Sequence, residues 1–201
     1  MKILVACFMA MLALSAFGQI EKGKSFITGG LGVGVSNIDN GGTLDDHKAS
    51  NYNFNAQYGY LIADNWAIGV GASFQGNKQK YDTYSNHLTN ASGNVFVRKY
   101  FPLGDKFYLN ADLTFYGGRT RSYSESNNGT KSGDTKNPSL GISIGPGASY
   151  FITDRVALTA SLGGISYGQS KYKTQTENNS NSSFGFNFGI DSIILGAALF
   201  F

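Results

Sequence analysis

Along most of the chain apolar and polar residues exchange places at every second position, the period of a strand with two unlike faces. Residues Phe107, Leu109, Ala111, Leu113 and Phe115 share one face, and Tyr108, Asn110, Asp112, Thr114 and Tyr116 the other. The same alternation predicts strands over 26–36, 50–61, 66–75, 91–101, 139–151, 156–167 and 184–201. Two of these change parity midway. In the seventh the change falls at Gly163-Gly164, and in the eighth near Asp191-Ser192, where a bulge would shift the pattern by one residue. Pro146 interrupts the apolar face of the sixth and removes a ladder donor there. Eight strands need seven connections, and their predicted lengths alternate. Ile62 to Asn65, Pro102 to Lys106 and Thr153 to Arg155 are turn-like. Asn37 to Lys48, Gly76 to Thr89, Arg121 to Pro138 and Gln169 to Asn181 are longer and rich in Asn, Ser, Thr, Gly and Lys.

Alternation alone does not say which face points inward, because a soluble barrel also alternates with its apolar face enclosed. The second face decides. It is built mostly of Gly, Ser, Asn, Thr and Gln, where a water-facing exterior would carry Lys and Glu. Small polar residues suit a narrow lumen, and exposed rows of Phe, Leu, Ile and Val suit lipid. The expected fold is therefore all-β, an eight-stranded antiparallel up-and-down transmembrane β-barrel with short turns on the periplasmic side and four long loops outside. The aromatics Tyr58, Tyr60, Trp66, Tyr100, Phe101, Phe107, Tyr150 and Phe151 gather near the short turns, where they are expected to form an interfacial girdle.

Composition supports this picture. Gly occurs 27 times, Phe 15 and Tyr 12, against 3 Pro and 14% charged residues in 201, an unusual mixture for a soluble globule. Met1-Lys2, the apolar run from Ile3 to Leu14 and the small residues Ala16 and Gly18 read as a secretory signal over residues 1–18, cleaved before Gln19. Residues 19–201 form the barrel domain. The one cysteine, Cys7, leaves with the signal, so no disulfide is expected. Lys2 is the only charged residue of the signal, so the formal charge falls from +3 to +2 on cleavage. That is too weak a charge to imply nucleic-acid binding.

Gly59-Tyr60-Leu61-Ile62-Ala63-Asp64-Asn65-Trp66-Ala67-Ile68-Gly69-Val70, together with Val97-Arg98-Lys99-Tyr100-Phe101, resembles the small outer-membrane β-barrel (porin-like) family of Bacteroidetes type, similar to OmpA transmembrane-domain and OmpX-like barrels. The resemblance spans essentially the whole predicted mature chain. It implies residence in the cell outer membrane among lipid and lipopolysaccharide. The last strand, apolar at alternate positions and ending in Phe201, is similar to the signal read by the barrel-assembly machinery.

Candidate chemistry is sparse. Gly29-Gly30-Leu31-Gly32-Val33-Gly34 lacks the spacing and the following helix of a nucleotide loop. His47 and His87 fall in predicted loops beside Asp45-Asp46 and Asp82, and read as solvated residues more readily than as metal ligands. Neither accompanies a serine on a strand, so no catalytic residue, cofactor or metal is expected. Arg98 and Asp112 share the inward face of neighbouring strands and form a candidate lumen charge pair, structural or gating. Tyr81, Tyr84, Tyr123 and Tyr172, set among small polar residues, could build an adaptable surface for an extracellular partner. The leading expectation is a non-enzymatic barrel contributing to envelope structure and surface interaction through its loops. The alternative is a narrow porin-like channel for small solutes.

Overall fold

Rows of β-branched and aromatic residues alternating with glycine and short polar side chains leave the backbone one low-energy outcome, an extended ladder with one greasy face. The computed structural model describes residues 20–38, 47–173, 178–189 and 194–201. Among them ten strand segments follow in order: β1 Ser25–Ile38, β2 His47–Ala63, β3 Trp66–Lys80, β4 Tyr84–Pro102, β5 Phe107–Ser126, β6 Lys131–Phe151, β7 Val156–Ser161, β8 Gly164–Lys173, β9 Asn178–Asn187 and β10 Ile194–Phe200. Every pairing is antiparallel, and the chain of neighbours closes on itself through β1–β10 and β5–β6.

The ten segments make eight staves. β7 and β8 form the seventh, both pairing with β6 and interrupted at Leu162-Gly163. Gly163 adopts φ +83°, and a Cβ there would strike the carbonyl oxygen of Asn187. Only glycine meets both demands. This is the parity change that the sequence predicts. The eighth stave is β9 followed by β10, and the parity change expected near Asp191-Ser192 lies outside the described residues, as does the predicted signal sequence.

The short turns are as expected. The β2–β3 hairpin turns at Asp64-Asn65, with Asn65 at φ 63°, a left-handed position that asparagine tolerates. The long connections differ from expectation. β3 runs to Lys80 and β4 starts at Tyr84, while β5 and β6 stay paired out to Glu125 and Lys131. Much of what reads as loop is therefore ladder. Its Ser, Asn, Thr and Lys have no lipid to face on one side and no crowded lumen on the other, so the alternation fades while the backbone pairing continues.

The rows Ile27, Leu31, Val33; Tyr58, Phe54; Ile68, Val70, Phe74; Val95; Leu113, Phe115; and Leu140, Ile144 are exposed on the outside. The buried cluster lies inside, at the short-turn end: Ile20, Phe26, Leu61, Ala67, Phe96, Tyr100, Tyr108, Phe151, Ala157, Ala198 and Phe200. Tyr58, Tyr60, Trp66, Phe107 and Tyr150 face outward as an interfacial girdle should, but Tyr100 and Phe151 do not. Both are fully buried, because they sit on the lumen parity of β4 and β6.

Candidate functional site

Three features of the barrel have functional geometry. The first is the floor of the lumen. Phe26 lies across the ladder from Gly59 and Phe96 from Gly69, and in each pair the ring occupies the space a Cβ on the glycine would need. The rings then pack on one another: Phe26 and Phe200 have centroids 5.1 Å apart, Phe151 and Phe200 4.9 Å, Tyr108 and Phe151 5.5 Å. Ile20 adds to this plug and accepts a backbone hydrogen bond from Asn65 at 3.1 Å. Sequence reasoning assigned the interior mostly to Gly, Ser, Asn, Thr and Gln and missed Phe26, Phe151 and Phe200. The available signal was a Phe on the polar parity near a short turn, opposed by glycine.

The second feature rests on that floor. Arg98 and Asp112 lie directly opposite each other on β4 and β5. Nε of Arg98 donates to Oδ1 of Asp112 at 2.7 Å and Nη2 donates to Oδ2 at 2.6 Å, a bidentate fork. Asn110 Nδ2 donates to Oδ1 of the same carboxylate at 3.2 Å, and Arg98 Nη1 donates to the Tyr100 hydroxyl at 3.4 Å. The guanidinium carbon sits over the rings of Phe26, Phe96 and Tyr100 at 5.4, 5.5 and 5.7 Å, within cation–π range. The two residues singled out from the sequence are thus in direct contact, the arginine buried beneath a cavity of about 540 Å³. That cavity is lined by Asn55, Gln57, Asn94, Thr114, Ser143 and Ser166 among others, and among the described residues Arg98 and Asp112 are the only charged ones that line it.

The third feature is the sheet beyond the apolar rows. Lys48, Lys78, Lys80, Arg119, Arg121, Lys131, Lys136 and Lys171 carry exposed side chains there. The ladder register puts them on the same parity as the lipid-facing rows: Lys78 lies opposite Ser50 and His87, Arg121 opposite Thr89 and Lys136. Among the described acidic residues only Glu125 and Asp134 share this zone of the sheet, with Asp82 at the β3–β4 turn. Arg121 forks onto Asp134 at 2.9 and 2.7 Å, which holds that carboxyl below the usual range and the guanidinium above its own. His87 stacks on Tyr123 at 4.6 Å, with Nε2 lying 3.6 Å from a Glu125 oxygen. Partial burial, then the Lys78 charge, push its pKa down against the opposing pull of Glu125. Tyr81 and Tyr84 stack at 4.6 Å across the β3–β4 turn. Asp45 and Asp46 lie outside the described residues, as does the side chain of His47. Among the described residues no group of three His, Cys, Asp or Glu could hold a metal ion.

A closed antiparallel ring with a greasy exterior and polar lumen has its counterpart in a known family, whose model, described as outer membrane protein beta-barrel domain, matches residues 4–191. The chain belongs to this outer-membrane β-barrel family. The barrel accordingly sits in the lipid bilayer of the cell outer membrane. Among solved structures, Ail, the attachment invasion locus protein of Yersinia pestis, is similar at 18% identity and TM-score 0.46, over 90% of this chain and 99% of that one. OprG from Pseudomonas aeruginosa is similar at 16% identity and TM-score 0.48, over 91% and 98%. Neisserial surface protein A is similar at 17% and 0.40, over 89% and 96%. A comparison with curated proteins found no significant match.

Proposed function

We propose that this barrel is a non-enzymatic envelope protein that grips the anionic outer leaflet through its basic collar and presents the polar sheet above it for surface interaction. The observation that carries the reading is the collar itself, basic side chains on the lipid-facing parity where the apolar rows end. Lipopolysaccharide phosphates lie at that level, and arginine meets phosphate with two parallel hydrogen bonds. Each basic residue near an anionic surface contributes about 1 kcal/mol. The periplasmic end carries no such excess: Glu21, Asp64, Asp105 and Asp154 stand among Lys22, Lys24, Lys106 and Arg155. The stacked tyrosines at the β3–β4 turn offer rigid aromatic contacts to an extracellular partner.

The test compares the wild type with an Arg119→Glu, Arg121→Glu, Lys136→Glu variant, each purified from outer membranes and assayed for co-purifying lipopolysaccharide. The wild type should retain it and lose it with rising salt, and the variant should retain little while keeping heat-modifiable gel migration. Equal retention would reject the collar. Planar-bilayer conductance on the same samples separates this reading from a narrow porin-like channel, which the aromatic floor disfavours.

Two further readings belong to biogenesis. Residues 1–18 serve as a signal peptide, testable by N-terminal sequencing of the membrane form for Gln19. The strand ending at Phe201 serves as the assembly signal, testable by Phe201→Ser and the yield of folded barrel.

A further inference from the structure

Beyond the Arg98–Asp112 fork the inner wall changes character. Along β1 to β6 the described residues of the inward parity carry no charge besides that pair, and its two members are committed to each other. One ladder row instead concentrates carboxamides. Asn53 lies opposite Gln75, Gln75 opposite Asn90, Asn90 opposite Thr120, and Thr120 opposite Asn137. Five neighbouring strands thus bring four amides and a hydroxyl to one belt. Asn53 and Gln75 are exposed, and Asn90, Thr120 and Asn137 half-buried. Among the described residues none of the four amide side chains has a hydrogen-bond partner.

The row beneath the belt is small and satisfies itself. Ser73, Ser92, Gly118 and Ser139 follow one another across the ladder, and the hydroxyls of Ser73 and Ser92 meet at 2.6 Å. One row further toward the floor, Tyr116 lies opposite Gly141, which lies opposite Gly168. Its ring takes the space that a Cβ on Gly141 would need, and its hydroxyl ends 3.1 Å from where a Cβ on Gly168 would stand. The two glycines let the ring lie along the wall rather than across the passage. Thr120 in the belt and Tyr116 are four residues apart on β5, about 13 Å along the strand. Between them the serines and Gly118 leave a hollow.

The chemistry of this wall selects its ligand. A carboxamide donates and accepts at once, as a sugar hydroxyl does, so a belt of them matches a polyol on both counts. A charged solute would leave water and meet no free counter-charge there. The tyrosine ring offers a flat face to the C–H side of a pyranose. An eight-stranded barrel has room for one small ligand, and a trisaccharide spans the distance from belt to ring.

We propose that the upper lumen binds a short neutral oligosaccharide, which enters from the end opposite the aromatic floor. Its hydroxyls exchange hydrogen bonds with Asn53, Gln75, Asn90 and Asn137, and one pyranose rests on Tyr116. The site is independent of the basic collar, which occupies the outward parity of the same strands.

The mature chain in phosphatidylcholine nanodiscs at high salt, where the collar is screened, tests this. It is titrated with maltotriose, mannotriose and triacetylchitotriose by calorimetry, and saturation-transfer NMR maps the bound sugar. At least one of the three should bind saturably at about one per barrel, with transfer from aromatic ring protons. Asn53→Leu and Gln75→Leu change exposed side chains and should each weaken binding about tenfold, the size of one hydrogen bond. Tyr116→Leu should abolish the ring transfer, and each variant is checked for heat-modifiable migration first. Trigalacturonate, of the same length but anionic, should not compete. No saturable binding of any neutral trisaccharide to the wild type would overturn the proposal, as would binding that the folded lumen variants leave unchanged. Equal competition by trigalacturonate would overturn the choice of a neutral ligand.

Discussion

Arg98 and Asp112 are opposite charges in a cavity whose other described lining residues are uncharged, and two hydrogen bonds in parallel fix their geometry. Removing one partner strands the other beneath aromatic rings. Breaking such a pair costs about 3–5 kcal/mol, while exchanging both for apolar residues of similar volume is often near neutral. Arg98→Met and Asp112→Leu should each lower the urea midpoint of the vesicle-reconstituted barrel, and the double variant should recover most of the loss. Independent, additive losses in that double-mutant cycle would show that the fork contributes little. The pair was legible from parity alone, since period two places both residues on the lumen face. Phe26, Phe151 and Phe200 were not, because a phenylalanine on the polar parity contradicts the simple pattern unless its cross-strand partner is read too. For Phe26, Gly59 was that partner information, one strand away in sequence.

The hairpin of β4 and β5 is the element in which ladder outlasts pattern. Its inner half alternates cleanly. Its outer half, around His87, Tyr123 and Glu125, holds together by stacking, hydroxyl hydrogen bonds such as Ser124 to Asn86 at 2.7 Å, and backbone pairing. Sequence reasoning took this half for loop because no burial difference separates its faces. His87 makes it pH-sensitive. Its folded pKa lies below the ordinary value of 6.5, from burial first and Lys78 next, with Lys131 adding to the shift and Glu125 opposing it. The unfolded hairpin therefore takes up the proton first, so stability is unchanged above the ordinary value and declines as pH falls below it, until the folded form also protonates. Amide exchange at Thr89 and Ser122 should quicken between pH 7 and 5 in the wild type. In His87→Gln it should hold steady, once corrected for intrinsic exchange rates. An identical pH response in both would assign the effect to another group.

At the scale of the whole molecule, the barrel is a cup with a closed floor. The eight staves and their turns were legible because lipid outside and a narrow lumen inside enforce one period along the chain. The basic collar was hidden by a formal charge of only +3, since Asp39, Asp45, Asp46, Asp82, Glu125, Asp134 and Glu177 of the predicted long connections offset it in the sum. The floor was hidden for the reason given by its phenylalanines. It also bears on transport: Phe26, Tyr100, Tyr108, Phe151 and Phe200 are fully or nearly fully buried at that end, which favours the proposed non-channel reading. The wild type should show no steady conductance in planar bilayers, and Arg98→Met should leave that unchanged, because the rings and not the ion pair obstruct the passage. Opening the floor should require removing rings that touch. Phe26→Ala with Phe200→Ala deletes the 5.1 Å contact at the β1–β10 seam. Each truncation costs about 3–5 kcal/mol, so folding is checked first by heat-modifiable migration. A folded double variant should conduct. Should it remain closed, or should the wild type conduct as freely, the aromatic floor is not the barrier and the narrow-channel reading regains its force.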